Sequence, residues 1–102
     1  MEFSVGIDKT TGKITAKGRF DFGSHRGFRE SYDPLLQNSA LKEIELNMAG
    51  VEYMDSSALG MLLMLRDRAK AVNKEVVLSK PNDTVMQILE IANFPKLFRI
   101  VA

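Results

Sequence analysis

Two hydrophobic periodicities alternate along this 102-residue chain. Strict alternation of apolar and polar residues, the pattern of a strand with one buried face, begins at Phe3, resumes at Ile14 and returns after Leu41. Apolar residues spaced three and four apart, which share one side of a helix, fill the segments between and after these stretches. The predicted order is strand, strand, helix, strand, helix, strand, helix and strand. This order favours a mixed sheet with helices packed on it, because two right-handed βαβ crossovers carry helices over one face.

The bounds of the predicted elements follow from these patterns together with turn and capping residues. Pro34 is predicted to kink or split the first helix, because proline removes a backbone donor and crowds the preceding turn. The dipeptide Ala49-Gly50 is predicted to end the third strand, which is expected to be central. In chain order, the predicted elements are an opening hairpin around Thr10-Thr11-Gly12, a helix from Ser24 to Gln37, a strand from Leu41 to Met48, a helix from the Asp55-Ser56-Ser57 step to about Val72, a strand within Lys74 to Ser79, a helix capped near Asn82 or Asp83, and a closing strand from Leu97 to Val101.

The composition excludes several classes of function. The 14 basic and 13 acidic residues nearly cancel, so the formal net charge is +1 and no sustained positive field attracts nucleic acid or anionic membranes. The absence of cysteine excludes disulfides, thiolate catalysis and the usual zinc sites. A single histidine, His25, argues against a metal centre. No cofactor, no metal and no nucleic-acid partner are expected.

Length and hydropathy indicate one small domain that does not insert into a membrane. With 45% hydrophobic residues, residues 1–102 are expected to form one domain with a single core. The first residues show no basic region followed by a long apolar stretch, so no signal peptide is predicted. The longest apolar run, Ala58 to Leu65, is far shorter than the roughly 20 residues that a membrane span needs. A soluble, cytoplasmic protein is therefore expected.

A polar step, Asp55-Ser56-Ser57, joins a strand-like segment to an apolar helix. The start of a helix carries unpaired backbone N–H groups and the positive end of the macrodipole, so it accommodates an added phosphate well. Aspartate and serine are also preferred N-cap residues, so a purely structural cap explains the step equally well. Phosphorylation would add a charge of about −1.5 to −2 at neutral pH, which changes a partner surface while the helix start offsets part of the repulsion.

The segment Met54-Asp55-Ser56-Ser57-Ala58-Leu59-Gly60 resembles the phosphorylation-site segment of STAS domains, the anti-sigma factor antagonists. In that family the serine directly after the aspartate is the phosphoacceptor, which corresponds to Ser56 here. Ser57 is its neighbour and the second candidate, and Asp55 is the preceding acid. Ala58 departs from the family, which usually has glycine at this position. Alanine forms helices more readily than glycine but leaves a kinase less room to approach the backbone.

The resemblance, which extends over the order of elements in the whole chain, implies an α/β, STAS-like single domain with a mixed sheet of about five strands and three or four helices. It also implies partner switching. The unphosphorylated protein binds an anti-sigma factor with serine kinase activity, phosphorylation of Ser56 releases it, and a PPM-type serine phosphatase restores binding. STAS antagonists similarly carry an acidic residue in the loop before the first helix that assists the kinase reaction. Asp21 is the best match, and a turn or capping role for it is equally open.

A docking surface beside the candidate phosphoacceptor is predicted on the same helix. Gly60, Met61 and Met64 are expected to form an edge near Ser56, because methionine adapts to many partner surfaces. Ordinary core packing of both methionines is the alternative, since an apolar stripe at helical spacing usually faces the core. The predicted partner-binding residues are Asp21, Asp55, Ser57, Gly60, Met61 and Met64.

Catalysis by this chain is not expected. The residues around Ser56 do not match Gly-x-Ser-x-Gly, and one histidine is a poor basis for a catalytic triad. No Gly-x-x-x-x-Gly-Lys-Ser/Thr loop is present for a nucleotide-dependent activity. The chain is therefore interpreted as a substrate of enzymes. Two further interpretations stay open: a constitutive STAS scaffold subunit of an ABC-type lipid transport complex, and partner switching with a motility, biofilm or second-messenger output.

Overall fold

Five strands form a single sheet, and their order across the sheet is their order in the chain. The computed structural model describes all residues from 1 to 102. The elements are β1 (Glu2–Asp8), β2 (Thr11–Phe20), α1 (His25–Gln37), β3 (Glu43–Met54), α2 (Ser56–Ala71), β4 (Glu75–Ser79), α3 (Asp83–Ile91) and β5 (Arg99–Val101), with 3-10 turns at Phe22–Ser24 and Phe94–Lys96.

The sheet is mixed. β1 and β2 form an antiparallel hairpin in which Glu2 lies opposite Lys17 and Asp8 lies opposite Thr11. β3, β4 and β5 each run parallel to the strand before them. Parallel neighbours cannot be joined by a tight turn, and α1, α2 and α3 supply the crossovers. The five-stranded mixed sheet with three helices confirms the predicted fold class, with three crossovers where two are expected from the sequence.

The core lies between one face of the sheet and the helices. In β2, Ile14 and Ala16 are fully buried, while Lys13 and Thr15 are exposed. The same period of two begins β3, so the inward residues of neighbouring strands form one apolar layer. A cluster of 23 buried residues joins this layer to helix residues such as Leu62 of α2.

An aromatic cluster packs at the end of β2 and the start of α1. Phe20, the last residue of β2, packs edge to face against Phe28 of α1, with ring centroids 5.1 Å apart. Phe3 of β1 lies 6.0 Å from Phe20 and 5.5 Å from Phe28, and Tyr32 lies 5.1 Å from Phe28. Such pairs contribute about 0.5–1.5 kcal/mol beyond simple burial. The cluster therefore fixes the two elements that flank the turn at Phe22–Ser24.

The helix α1 passes through Pro34 without the predicted split, since it is continuous from its first residue to its last. Pro34 and Glu30, the residue whose carbonyl loses its helical partner, are both exposed, so water can replace the missing hydrogen bond. On the opposite side, Phe28, Tyr32 and Leu35 are buried. Packing of this apolar side outweighs the local cost of proline.

The strand β3 continues past Gly50, where it is predicted to end, and reaches Met54. A register shift in its pairing with β2, between Thr15 and Lys17, lets the two strands stay paired beyond the glycine. A Cβ atom at position 50 would lie 3.0 Å from the carbonyl oxygen of Ala16. Gly50 therefore permits a close approach of two strands rather than marking a strand end.

Tyr32 makes the stability of the fold sensitive to pH in the alkaline range. Burial raises the pKa of Tyr32 above its ordinary value, and the charge of Arg68 partly opposes this shift. The folded protein thus holds the phenolic proton more tightly than the unfolded chain. This stabilisation is fully present below the unfolded pKa of about 10 and is lost as the pH rises above it.

We therefore expect the free energy of unfolding, measured by urea denaturation, to fall above a pH of about 10. The fall should be smaller in Tyr32→Phe, which carries no titrating phenol. An equal fall in both proteins would contradict this assignment.

Candidate functional site

The junction between β3 and α2 is formed by Asp55. Its backbone is extended, and its Oδ1 accepts a hydrogen bond of 2.9 Å from the N–H of Ala58 in the first turn of α2. Asp55 is therefore the N-cap of this helix. Its own N–H donates to the carbonyl oxygen of Phe20 at 3.2 Å, which ties the junction to the end of β2.

The second carboxylate oxygen of Asp55 reaches a distant part of the chain. Oδ2 accepts a hydrogen bond of 3.3 Å from the N–H of Phe22, which lies 33 residues earlier in the turn before α1. One carboxylate thus holds both the start of α2 and the turn after β2. Because both of its oxygens accept from backbone N–H groups, Asp55 holds the turn before α1 next to the start of α2.

The turn before α1 is built around Asp21. Its Oδ1 accepts from the N–H of Gly23 at 3.1 Å, and its own N–H donates to Oγ of Ser24 at 3.3 Å, which completes a capping box. The Ser24 hydroxyl donates to the carbonyl oxygen of Arg19 at 3.2 Å. Asp21 thus has the capping role that the sequence leaves open. The turn lies against the start of α2 through the hydrogen bond of Phe22.

Ser56 is the first residue of α2, and it is exposed. Ser57, the next residue, is half-buried, and neither hydroxyl makes a hydrogen bond within the chain. Because Asp55 supplies the cap, Ser56 is not required for that role. Its hydroxyl stands free at the positive end of a 16-residue helix.

An exposed row on α2 runs from Ser56 through Gly60 to Met64, at steps of four residues. Met64 is 40% exposed, and a Cβ atom at Gly60 would meet nothing within 4 Å. Met61 is only 5% exposed and belongs to the core cluster, so the prediction that it lies on a docking surface is wrong. A helix turns by about 100° per residue, which rotates Met61 away from the row and onto the side of Leu65 that faces the core.

Two exposed aromatic residues near the junction are absent from the sequence-based site. Phe22 is 76% exposed, and Tyr53 near the end of β3 is 40% exposed, with the guanidinium carbon of Arg19 4.6 Å from its ring centroid. A signal for Phe22 exists in the sequence. It stands between Asp21 and Gly23, two turn formers, and so has no regular element that would direct its ring into the core.

A sequence profile of the family described as "Mlab, STAS domain" matches residues 3–101, almost the whole chain. The chain belongs to the STAS domain family. A STAS-domain containing protein of Pseudomonas aeruginosa (strain UCBPP-PA14) is 44% identical to it over 87 residues, which cover 85% of this chain and 84% of the relative.

Solved structures of other proteins share the fold of this STAS domain. An anti-sigma-factor antagonist (STAS) domain protein from Planctomyces limnophilus gives a TM-score of 0.86 at 13% identity, covering 98% of this chain and 89% of that one. The Bacillus cell fate determinant SpoIIAA, in its phosphorylated form, gives a TM-score of 0.74 at 20% identity, covering 99% and 92%. At these identities the likeness establishes the fold, and the activity is argued from the site itself.

The serine of this STAS domain stands on a surface rather than in a pocket. A cavity of about 390 Å³ adjoins the turn beside Arg19 and Asp21, but no residue of α2 lines it. No three His, Asp or Glu side chains are grouped to hold a metal ion. None of the helices has both the length and the apolar character required to cross a membrane.

Removing the Asp55 carboxylate is expected to destabilise this STAS domain. Asp55→Ala leaves the N–H of Phe22 without its acceptor. It also removes the 2.9 Å side-chain acceptor of Ala58, whose N–H keeps only the carbonyl oxygen of residue 55, at 3.2 Å. Loss of an N-cap alone costs about 0.5–2 kcal/mol, and the N–H of Phe22 loses its acceptor as well, so we expect the free energy of unfolding to fall by about 2 kcal/mol.

Urea denaturation of Asp55→Ala and of Glu52→Ala checks this expectation. Glu52 is a nearby, exposed acid whose carboxylate makes no hydrogen bond in the chain, and its replacement should change the free energy of unfolding by less than about 0.5 kcal/mol. Equal losses of unfolding free energy in the two variants would show that any negative charge near the junction stabilises the fold, and that the two hydrogen bonds of Asp55 are not the cause.

Proposed function

We propose that this STAS domain is an anti-sigma factor antagonist-like regulator controlled by phosphorylation of Ser56. The observation that carries the proposal is the free, exposed hydroxyl of Ser56 at the start of α2, with the capping role taken by Asp55. A phosphate here meets unpaired N–H groups and the positive dipole end of a 16-residue helix, so the fold tolerates it. The phosphorylated form of SpoIIAA, which shares the fold, supports the proposal.

In the proposed cycle, the unphosphorylated protein binds an anti-sigma factor that has serine kinase activity. This binding frees the sigma factor held by that regulator. The kinase then phosphorylates Ser56, which weakens the complex, and a PPM-type serine phosphatase removes the phosphate. The chain acts in the cytoplasm as the substrate of these enzymes and catalyses no reaction itself.

The proposed partner surface consists of the row Ser56, Gly60 and Met64 with the Asp21 turn beside it. Gly60 leaves the middle of the row open, and Met64 offers an adaptable apolar contact. Ser57 lies at the edge of this surface. A charge of about −1.5 to −2 on Ser56 must be desolvated when a partner covers it, and it repels any acidic group there. The phosphate therefore acts on the complex rather than on the fold.

Phosphorylation in an extract of the native cells tests this proposal. The purified protein is incubated with extract, Mg²⁺ and ATP, and the modified residue is located by peptide mapping. We expect phosphate at Ser56, none in Ser56→Ala, and undiminished incorporation in Ser57→Ala. Incorporation that persists in Ser56→Ala and disappears in Ser57→Ala would assign the switch to Ser57. No incorporation in any of the three proteins would contradict the switch.

The capping hydrogen bond of Asp55 also suits a second candidate function, a constitutive scaffold subunit of an ABC-type lipid transport complex, in which the Asp55-Ser56-Ser57 step is a permanent helix cap. A scaffold would bind its partners permanently and leave Ser56 unmodified. Affinity purification of the tagged protein from native cells separates the two functions. Transporter subunits at a fixed ratio to an unmodified chain would support the scaffold, whereas a kinase retained only by the unphosphorylated chain would support the switch. A motility, biofilm or second-messenger output would use the same serine and the same surface.

A further inference from the structure

Phe22 is the most exposed aromatic side chain of this protein. It is 76% exposed, whereas Phe20 and Phe28, which flank it in the sequence, are buried in the aromatic cluster. A phenyl ring left in water forgoes the free energy that burial would supply. Exposed aromatic rings recover it when a partner covers them, and phenylalanine is one of the aromatic residues enriched at the centre of protein interfaces.

The backbone beneath Phe22 is fixed on both sides. The Asp21 capping box holds the turn internally, and the N–H of Phe22 donates to Oδ2 of Asp55 at 3.3 Å. The rings of Phe20 and Phe28, 5.1 Å apart, secure the strand and the helix that the turn connects. An anchor held in this way loses little conformational entropy on binding, which leaves more of its burial free energy for affinity.

The same hydrogen bond sets the place of Phe22 relative to the phosphoacceptor. Asp55, which accepts it, directly precedes Ser56 and also caps α2 at Ala58. The turn and the helix start therefore form one unit held by a single carboxylate. This hydrogen bond places the backbone of Phe22 next to the residue that precedes Ser56.

We infer that Phe22 is the anchor through which the serine kinase partner docks, with its ring inserted into an apolar, aromatic-sized pocket of the kinase. The inference rests on the proposed function, because it describes how the same partner recognises the same site. Phe22 takes no part in phosphoryl transfer. It is a docking residue that positions Ser56. Leucine at this position fills part of such a pocket, and alanine leaves it empty.

Competition between variants tests the docking role in the native-cell extract. Wild-type protein at limiting concentration is phosphorylated with Mg²⁺ and ATP, and Ser56→Ala protein, which binds but accepts no phosphate, is added as inhibitor. We expect Ser56→Ala/Phe22→Ala to require at least about tenfold more protein than Ser56→Ala for equal inhibition of the initial rate. Ser56→Ala/Phe22→Leu is expected to fall between them.

The matched control is Ser56→Ala/Ile91→Ala, because Ile91 of α3 is another highly exposed apolar side chain, at 84%. It should inhibit as strongly as Ser56→Ala, and all competitors should share one thermal unfolding midpoint. Equal inhibition by the Phe22→Ala competitor would overturn the docking role and leave the Ser56 switch intact. If the wild-type protein takes up no phosphate at Ser56, the switch and the docking role fall together.

Discussion

A phosphoryl group on Ser56 is expected to weaken the complex with the kinase partner by about a hundredfold or more, which corresponds to about 2.7 kcal/mol. The reason is the position of Ser56 in the exposed row of α2, where a partner that covers the row must desolvate the added charge. The free protein escapes this cost, because there the phosphate remains in water at the positive end of α2. The two states of the protein are therefore expected to differ in affinity and to share one fold.

Calorimetric titration measures this difference once the kinase has been recovered on immobilised Ser56→Ala and purified. In the absence of ATP, Ser56→Ala should keep the affinity of the unmodified protein, and Ser56→Asp, with a single charge, should lose about tenfold. Ser39→Asp places the same charge on an exposed serine between α1 and β3 and should change nothing. Equal affinities of the phosphorylated and unmodified proteins would refute the switch.

Met61→Glu is expected to destabilise the fold strongly. The side chain of Met61 is 5% exposed within the core cluster, and no cationic side chain belongs to that cluster. A carboxylate placed there must either remain charged without a partner or take up a proton, and either outcome costs free energy. We expect the free energy of unfolding to fall by at least about 4 kcal/mol, a large part of the 5–15 kcal/mol typical of a small domain.

Met64→Glu is the matched variant, because Met64 lies on the same helix but is 40% exposed. Its free energy of unfolding should change by less than about 0.5 kcal/mol. Its affinity for the kinase partner should fall, since the new charge stands in the proposed partner surface. Urea denaturation of both variants measures the free energy of unfolding, and calorimetry measures the affinity for the kinase partner. Similar stability losses in the two variants would contradict the assignment of Met61 to the core and Met64 to the surface, and unchanged binding by Met64→Glu would remove Met64 from the partner surface.

The order of strands and helices is predictable from the sequence because each element buries one side. Alternation in β2 and β3 and helical spacing in α2 reflect a single apolar layer between sheet and helices, so local periodicity carries the global arrangement. The starts of α2 and α3 are likewise predictable to within one or two residues. The structure has Asp55 rather than a serine as the cap of α2 and Asn82 rather than Asp83 as the cap of α3, and each side chain accepts from the first turn of its helix.

The structure differs from the sequence-based prediction where a contact with a distant residue outweighs the local preference of the chain. Gly50 resembles a strand end in the sequence, but its missing Cβ serves the close approach of Ala16 on the neighbouring strand. Pro34 resembles a helix break, but the buried side of α1 holds the helix together around it. Neither outcome can be read from the residues near the glycine or the proline alone, because the decisive atoms lie in other elements.

In the candidate site, too, some features follow from local sequence and others from contacts between distant residues. The Asp55-Ser56-Ser57 step identifies the helix start, because a cap depends on local sequence. The exposure of Ser56 and the partial burial of Ser57 depend on the packing of α2 and appear only in the folded chain. The bond between Phe22 and Asp55 spans 33 residues and depends on the parallel pairing of β2 and β3, so it appears only in the folded chain. Met61 and Met64 differ by less than one helical turn, and the rotation of α2 on the sheet decides which of them is buried.

Phosphorylation of Ser56 is tested most directly by the intact mass and peptide map of the protein recovered from its native cells, grown with and without stress. We expect a fraction heavier by one phosphate, located at Ser56, that changes with stress and is absent from Ser56→Ala cells. A protein that stays unmodified in every condition, and that co-purifies with membrane transporter subunits, would contradict the switch and establish the scaffold function instead.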